Sequence, residues 1–307
     1  MNSAIVESIC IFGSVARATV DELSDKDVLI VASDPARRID LATSWQCLGW
    51  SVSTYSPKRF DAIYQAGSLF VQHLKLEGQM VSDTGGWLTQ RLHRYRPKRT
   101  YKPEAQNSVS LALPIERFAD DQPLKANLLA ADLAYVSVRN FGVCELADRG
   151  DYTFEYDHIV DALSDISSLS RYETKLVRSL RLGKSNYRSH SQPANFDGSV
   201  GDLKDILGKI FPDRRLGTLP GEARPRCLGT GYSSLRDIEA TIVSRLGRLP
   251  TIREIESDGL MSVWKLIQRP SHYTWSIRQL GFSNHFLPTF GGNLSEKSNF
   301  LTKELLF

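Results

Sequence analysis

The chain has 307 residues, 41% of them hydrophobic and 24% charged, a balance that excludes a disordered, fibrous or mucin-like protein and suits two folded units with room for a small third. Its net charge of +3 is too small to imply nucleic-acid binding by itself, so the distribution of charge decides that question. No run of about 18 apolar residues occurs, and the start, Met1-Asn2-Ser3-Ala4-Ile5-Val6-Glu7, lacks the features of a signal peptide, so a cytoplasmic protein with no membrane partner is expected.

Up to about residue 90 short apolar runs alternate with helical stretches, as in an α/β or α+β unit. Ile9-Cys10-Ile11-Phe12 reads as a buried strand ending at Gly13-Ser14, residues 27–32 as a second, and residues 50–55 as a third. Residues 36–48 predict a helix between the last two, residues 57–76 another, and residues 79–82 a short edge strand. After Pro103 the pattern turns helical, with predicted helices over 124–146, 156–169 and 171–187. Residues 191–232, rich in Gly, Pro and Asp, predict loops around one short helix at 203–210, and helix returns at 234–246 and 260–268. The expected organisation is a first unit of strands and helices at 1–90, a basic connector at 91–107, a helical domain at 108–190, a loop-rich linker at 191–232 and a helical tail at 233–307. The four cysteines, Cys10, Cys47, Cys144 and Cys227, show no CxxC spacing and are expected to be buried thiols, neither a zinc site nor a disulfide framework.

The stretch with most chemistry in it is Ile11-Phe12-Gly13-Ser14-Val15-Ala16-Arg17, followed after a short loop by Ser24-Asp25-Lys26-Asp27-Val28-Leu29. Two carboxylates at i and i+2 on a strand point to one face, so Asp25 and Asp27 are placed to share divalent metal ions. Mg²⁺ (or Mn²⁺) takes carboxylate oxygens, waters and substrate phosphates, and such a pair serves in-line nucleotidyl displacement. Gly13 permits a close backbone approach, the Ser14 hydroxyl and the amides at a helix start hold triphosphate oxygens, and Arg17 adds charge-assisted contacts.

Together these residues resemble the DNA polymerase β-like nucleotidyltransferases, in particular the minimal nucleotidyltransferases and their aminoglycoside-modifying relatives. That family begins with an apolar strand and Gly-Ser, then carries Asp-x-Asp on the next strand after roughly ten residues, and the resemblance covers about the first 85 residues. It implies a small mixed-sheet α+β domain followed by mainly helical domains, a nucleoside triphosphate substrate, Asp25 and Asp27 as metal ligands and catalytic residues, and Gly13, Ser14 and Arg17 as nucleotide-binding residues. The family also places a third carboxylate on a later strand, where it completes a metal site and helps deprotonate the attacking hydroxyl. The inward position aligned with it here is Ser53. Asp61, Glu77 or Asp83 then substitutes from another element, or the acceptor supplies a ligand, or the domain binds nucleotide without turning it over. His73 and Glu77, four apart on one helical face, are further candidates, weighed against a packing role for the histidine.

Charge concentrates in Arg91-Leu-His-Arg-Tyr-Arg-Pro-Lys-Arg-Thr-Tyr-Lys102, where six cations and two tyrosines occur without a carboxylate. Arg94, Arg96, Lys98 and Arg99 are expected to contact RNA or DNA phosphates, with Tyr95 and Tyr101 stacking on bases, against the alternative of a solvated spacer. The helical stretch resembles the HEPN domains that accompany minimal nucleotidyltransferases. An Arg about five residues before a His marks the ribonuclease members; Arg181 to His190 is too long and Arg188 to His190 too short, which excludes that site and leaves Arg178, Arg181, Lys184 and Arg188 on a solvated or phosphate-contacting face. The tail from Arg248 to Phe282 is similar to short helical repeats found beside endonuclease and helicase domains, with Arg253, Lys265, Arg269 and Arg278 as phosphate contacts if it binds.

The resulting expectation is a metal-dependent transferase that moves an NMP from an NTP to a hydroxyl of RNA, protein or a small molecule. The resemblance implies a setting in bacterial toxin–antitoxin or phage-defence systems, with a partner protein of a two-gene pair. The alternative is a catalytically impaired protein of the same fold acting as a nucleic-acid-binding regulator or sensor. An antibiotic-modifying enzyme is disfavoured, since a cationic acceptor calls for an acidic cleft rather than basic segments.

Overall fold

The computed structural model describes residues 5–119, 124–188 and 196–211 together with Arg236 and Ala240. The chain is α+β, with a four-stranded mixed sheet on the N-terminal side followed by helices. It divides into two compact units, one formed by residues up to Lys102 with Val143–Ile159, the other by Pro103–Gly142 and the described residues from Val160 onward.

In the first unit β1 (Glu7–Phe12) leads into a one-turn helix α1 (Ser14–Arg17), then β2 (Asp27–Ala32), α2 (Pro35–Cys47) and β3 (Ser51–Tyr55). Helices α3 (Pro57–Gln65) and α4 (Leu69–Glu77), strand β4 (Gln79–Asp83) and helix α5 (Trp87–Arg94) follow. The strands lie in the order β3-β2-β1-β4, with β1 antiparallel to both neighbours and β2 parallel to β3 across the α2 crossover. Strand β2 is central and buried from Val28 onward, so its apolar run is unbroken, as expected of a strand covered on both faces. Its side chains still separate by parity. Val28 and Ile30 join Ile9 against Leu41, Trp45 and Trp50, while Leu29 and Val31 join Cys10, Phe12 and Tyr55 under Phe60, Ile63, Val71, Leu74, Leu88 and Leu92 of the three later helices.

The predicted helix over 57–76 is two helices, and the break has a local cause. Gly67 takes φ 69°, a left-handed conformation that terminates α3 at no steric cost, and Ser68 caps α4 by accepting the Phe70 N–H at 3.2 Å. The Gly67 carbonyl has no helical donor, whereas the Ser68 carbonyl accepts the Val71 N–H at 3.0 Å and the Gln72 N–H at 3.3 Å from α4. Tyr101 donates its hydroxyl to the Gly67 carbonyl at 2.7 Å and Tyr95 donates to the Ser68 carbonyl at 2.6 Å. Tyr95 and Tyr101 are therefore buried, each with 1% of its surface exposed, which corrects the expectation that they stack on bases. Nor is the whole of 91–107 a connector: Arg91 and Arg94 belong to α5, and Lys102 opens α6 (Lys102–Ser110).

The second unit is helical, with α6 from Pro103, a 3₁₀ turn at Leu113–Arg117, α7 (Leu124–Asp148) up to Gly142, α8 (Tyr156–Ser167) from Val160, α9 (Arg171–Arg188) and α10 (Val200–Ile210). Helix α7 is apolar around most of its circumference, the pattern of a central buried helix. At its middle Asp132 is fully buried and is gripped by Arg188, at 2.8 Å, and by Arg236. Burial by itself raises the Asp132 pKa, but the charges of Arg188, Arg236 and Lys184 outweigh it and hold the carboxyl below its ordinary range. The basic side chains of α9 are thus not one solvated face. Arg188 serves Asp132, Arg178 pairs with Asp161, and the Lys184 ammonium lies 5.2 Å from the centre of the Tyr135 ring, because α9 packs on α7 and α8 and its cations meet their carboxylates and rings.

Cys10 and Cys144 are buried as expected, whereas Cys47, at the exposed end of α2, is not. The loops expected within 191–195 and 212–232, Cys227, and the tail helices at 234–246 and 260–268, apart from the helical positions Arg236 and Ala240, lie outside the described residues. Replacing Asp132 by Asn leaves two guanidinium groups without their carboxylate and is expected to lower stability by about 3–5 kcal/mol. Urea denaturation beside the wild type measures this, and a loss under about 1 kcal/mol would show that the grip is dispensable.

Candidate functional site

The register of β1 on β2 pairs Phe12 with Asp27, so the turn after β1 and the segment before β2 emerge side by side. Gly13 sits at φ 74°, and a Cβ built on it would lie 3.3 Å from Oδ2 of Asp27. A side chain there meets both a strained backbone and the carboxylate. Ser14 donates its hydroxyl to the Asp25 carbonyl at 3.2 Å. Two segments eleven residues apart in the chain are thereby held in contact. Asp27 shares its sheet face with Leu29 and Phe12, at the end of that face, and is partly buried. Asp25 is exposed and precedes the strand, which corrects the picture of both carboxylates on β2. Its position is set instead by the loop. Asp21 accepts from the Leu23 N–H at 3.0 Å and the Ser24 hydroxyl at 2.7 Å, a side-chain-stabilised turn that the Asp-x-x-Ser pattern encodes and the spacing of the two carboxylates does not.

Helix α1 is one turn long, too short for a macrodipole of consequence. What the turn offers an anion is the Ser14 hydroxyl and the first-turn N–H groups, which have no intrahelical acceptor. Gln79, unremarked in the sequence, donates to the Ala16 carbonyl at 2.7 Å and ties α1 to β4.

Arg17 points to the end of α4. Its guanidinium pairs with Oε2 of Glu77, and the same oxygen lies 2.8 Å from Nε2 of His73. The His73 ring stacks on Phe154 with centroids 4.2 Å apart and meets Phe12 edge-on. Burial raises the Glu77 pKa, but the hydrogen bond and charge of His73 and the charge of Arg17 more than offset it and leave the carboxyl below its ordinary range. The structure thus joins three sequence candidates, Arg17, His73 and Glu77, in one partly buried cluster.

Strand β3 contributes no carboxylate. Ser53 lies opposite Leu29, and Ser51 lies opposite Asp27, so the register brings Ser51 beside the Asp-x-Asp segment, which spacing alone did not show. The other carboxylates considered for the third position are engaged. Asp61 binds Arg91 at 2.6 Å, with Arg91 lying 3.6 Å over the Trp87 ring. Asp83 accepts the Leu88 N–H at 2.9 Å, the Thr89 N–H at 2.8 Å and the Ser8 hydroxyl at 2.7 Å. Burial raises its pKa, and these donors bring it below the usual carboxylate range. Among the described residues no three His, Cys, Asp or Glu side chains gather as a metal site. Cys10 beneath the sheet face is inert, its thiol pushed up to about 12 by burial and the nearby Asp83 charge.

Of the basic run, Arg94, Arg96 and Arg99 are exposed, while Lys98 is half-buried with its ammonium 4.9 Å from the Tyr101 ring centre. No helix is long and apolar enough to cross a membrane among the described residues.

Because the folded pKa of Glu77 lies below its unfolded value of about 4.3, the stability it contributes is present above that pH and is lost as pH falls through the folded pKa. The Glu77→Gln chain is expected to be less stable than the wild type near pH 7, by about 1–3 kcal/mol. The gap should close on acidification through the carboxylate range. Thermal melts of the two chains at stepped pH values test this, and a gap that is the same at every pH speaks against the ion pair.

Among known proteins, residues 1–76 match the family model described as the nucleotidyltransferase domain. No curated protein and no solved structure matches the chain. The match runs from the start of the chain through nearly all of α4 and takes in the Gly-Ser turn and the Asp-x-Asp segment, so strands β1 to β3 with the first helices are similar to nucleotidyltransferase domains; β4 and the helical remainder lie beyond the match.

Proposed function

We propose that the N-terminal unit transfers an NMP from an NTP to an acceptor hydroxyl on RNA, protein or a small molecule, with release of pyrophosphate. The observation that carries this reading is the contact between the Gly-Ser turn and the Asp-x-Asp segment, with the Asp27 carboxylate against Gly13 and the Ser14 hydroxyl on the Asp25 carbonyl. It sets a phosphate-binding turn beside two carboxylates at the open end of a sheet. The donor set fits Mg²⁺ (or Mn²⁺), an ion that keeps several waters and is held through one or two carboxylates and substrate phosphates rather than by a closed protein cage. Asp25 and Asp27 would hold it, and when bound it neutralises charge on the triphosphate and the leaving pyrophosphate. Gly13 lets the backbone approach the phosphates, Ser14 would turn its hydroxyl from the Asp25 carbonyl to a phosphate oxygen, and Arg17, oriented by Glu77, adds fixed positive charge next to the turn. Orientation and charge neutralisation supply most of the rate in such transfers.

A second reading is supported by one specific observation. Ser51 and Ser53 stand on β3 where an acid would complete the site, and Asp61, Glu77 and Asp83 each serve a structural partner. A domain with two carboxylates and no third to activate the acceptor hydroxyl suits a nucleotide-binding regulator or sensor.

Incubation with each α-³²P-labelled NTP, Mg²⁺ or Mn²⁺ and a cell extract separates the two readings by whether a macromolecule or small acceptor becomes labelled. Asp27→Ala is expected to abolish labelling and metal-dependent nucleotide binding with the circular dichroism spectrum unchanged, and labelling retained in that chain would remove the assignment. Ser14→Ala should be milder, since backbone donors remain. Ser51→Asp, opposite Asp27, is expected to strengthen Mn²⁺ binding, measured by paramagnetic titration, and to raise weak activity. Ser53→Asp, opposite Leu29, should do less, and the reverse order would move the missing position to Ser53.

A further inference from the structure

The segment 93–102 is a fixed element rather than a tether. Its two tyrosines turn inward to the carbonyls of Gly67 and Ser68. The Lys98 N–H donates to the Tyr101 hydroxyl at 3.1 Å, Lys75 donates to the Tyr95 carbonyl at 3.0 Å, and Asp148 accepts from both the Tyr101 N–H and the Thr100 hydroxyl. With the tyrosines inside, the cations are outside: Arg94, Arg96, Arg99 and Lys102 are all exposed. Elsewhere the chain pairs its arginines with acids, as in Arg17 with Glu77, Arg37 with Glu7, Arg91 with Asp61 and Arg178 with Asp161. Among the described residues these four cations have no carboxylate within ion-pair distance, and the nearest acid in sequence is Glu104.

We propose that residues 93–102 form a rigid basic strap that binds the sugar–phosphate backbone of a polynucleotide through Arg94, Arg96, Arg99 and Lys102, without reading its bases. Fixed cations at exposed positions two or three residues apart pay less ordering entropy on binding than a flexible tail of the same charge. Phosphate contacts position a strand but carry no sequence information. With Tyr95 and Tyr101 committed to the interior, the strap has no aromatic platform for stacking. The surface therefore accepts RNA and DNA single strands alike. This inference stands apart from the transfer chemistry, because binding needs neither Asp25 nor Asp27.

The test uses the full-length Asp27→Ala chain, so that transfer plays no part, and fluorescence anisotropy with labelled U₂₀ and dT₂₀ between low and physiological salt. The fourfold variant Arg94→Gln, Arg96→Gln, Arg99→Gln, Lys102→Gln in that background is expected to bind at least tenfold more weakly at low salt. The slope of log affinity against log salt should flatten by about 2–3 units, at roughly 0.7 for each phosphate no longer neutralised. U₂₀ and dT₂₀ should agree within about threefold, since only phosphates are held. Tyr95→Phe with Tyr101→Phe loosens the strap and keeps its charge, so affinity should fall several-fold with the slope unchanged. Unchanged affinity in the fourfold variant, a preference of tenfold or more between U₂₀ and dT₂₀, or equal displacement by polyglutamate of matched charge would each overturn the proposal.

Discussion

The antiparallel pairing of β1 with β2 is the constraint on which the candidate site depends. Residues on the two strands are matched one to one, from Glu7 with Ala32 to Phe12 with Asp27. A slip by one residue would turn Asp27 to the opposite sheet face and move its carboxylate away from Gly13. The slip is opposed by burial, because Leu29 and Val31 belong to one core and Val28 and Ile30 to the other. The apolar parity that stabilises the sheet thus also aims the carboxylate. Packing and chemistry share one register.

Two partly buried acids near the site, Asp83 and Glu77, are each held by several donors. Asp83 receives backbone and hydroxyl donors across the turn from β4 into α5. Glu77 closes α4 between Arg17 and His73. Each is partly desolvated, and a desolvated carboxylate needs partners to remain ionised. Asp25 is exposed, whereas Asp27, at the end of a sheet face, is partly buried like Glu77 and Asp83.

The helix break at Gly67 has consequences further along the chain. Ending α3 there leaves the Gly67 carbonyl without a helical donor, and a buried carbonyl without a donor is costly, while the Ser68 carbonyl already accepts the Val71 N–H at 3.0 Å and the Gln72 N–H at 3.3 Å from α4. The Tyr101 hydroxyl meets this need and the Tyr95 hydroxyl adds a further donor to the Ser68 carbonyl, and together they set the path of the basic segment and the outward direction of its arginines. In the helical unit Asp132 plays a comparable part. It is a single buried charge in an apolar helix, held by Arg188 and by the distant Arg236, and contacts of such separation in sequence specify one packing of the helices.

Sequence alone determined the order and type of most elements of the first unit, because apolar runs, Ser-Pro and Asp-Pro starts and Gly turns are local signals. Strands β1 to β4 and helix α2 fall within two residues of their predicted limits, and the Gly-Ser and Asp-x-Asp motifs lie where the strand pattern placed them, with Asp25 just ahead of β2. The split of α3 from α4 is also written locally, in Ala66-Gly67-Ser68, but apolar spacing that continues across it masks the signal. What only the tertiary structure decided concerns partners far apart in the chain. Arg17 is bound by Glu77 sixty residues on, Arg188 by Asp132, and the two tyrosines of the basic run by the carbonyls of a helix break. In each case the residue type allowed both a solvent-facing and a structural role, and the choice rested on which donor or acceptor the fold brought within hydrogen-bond reach, a quantity that sequence spacing does not contain.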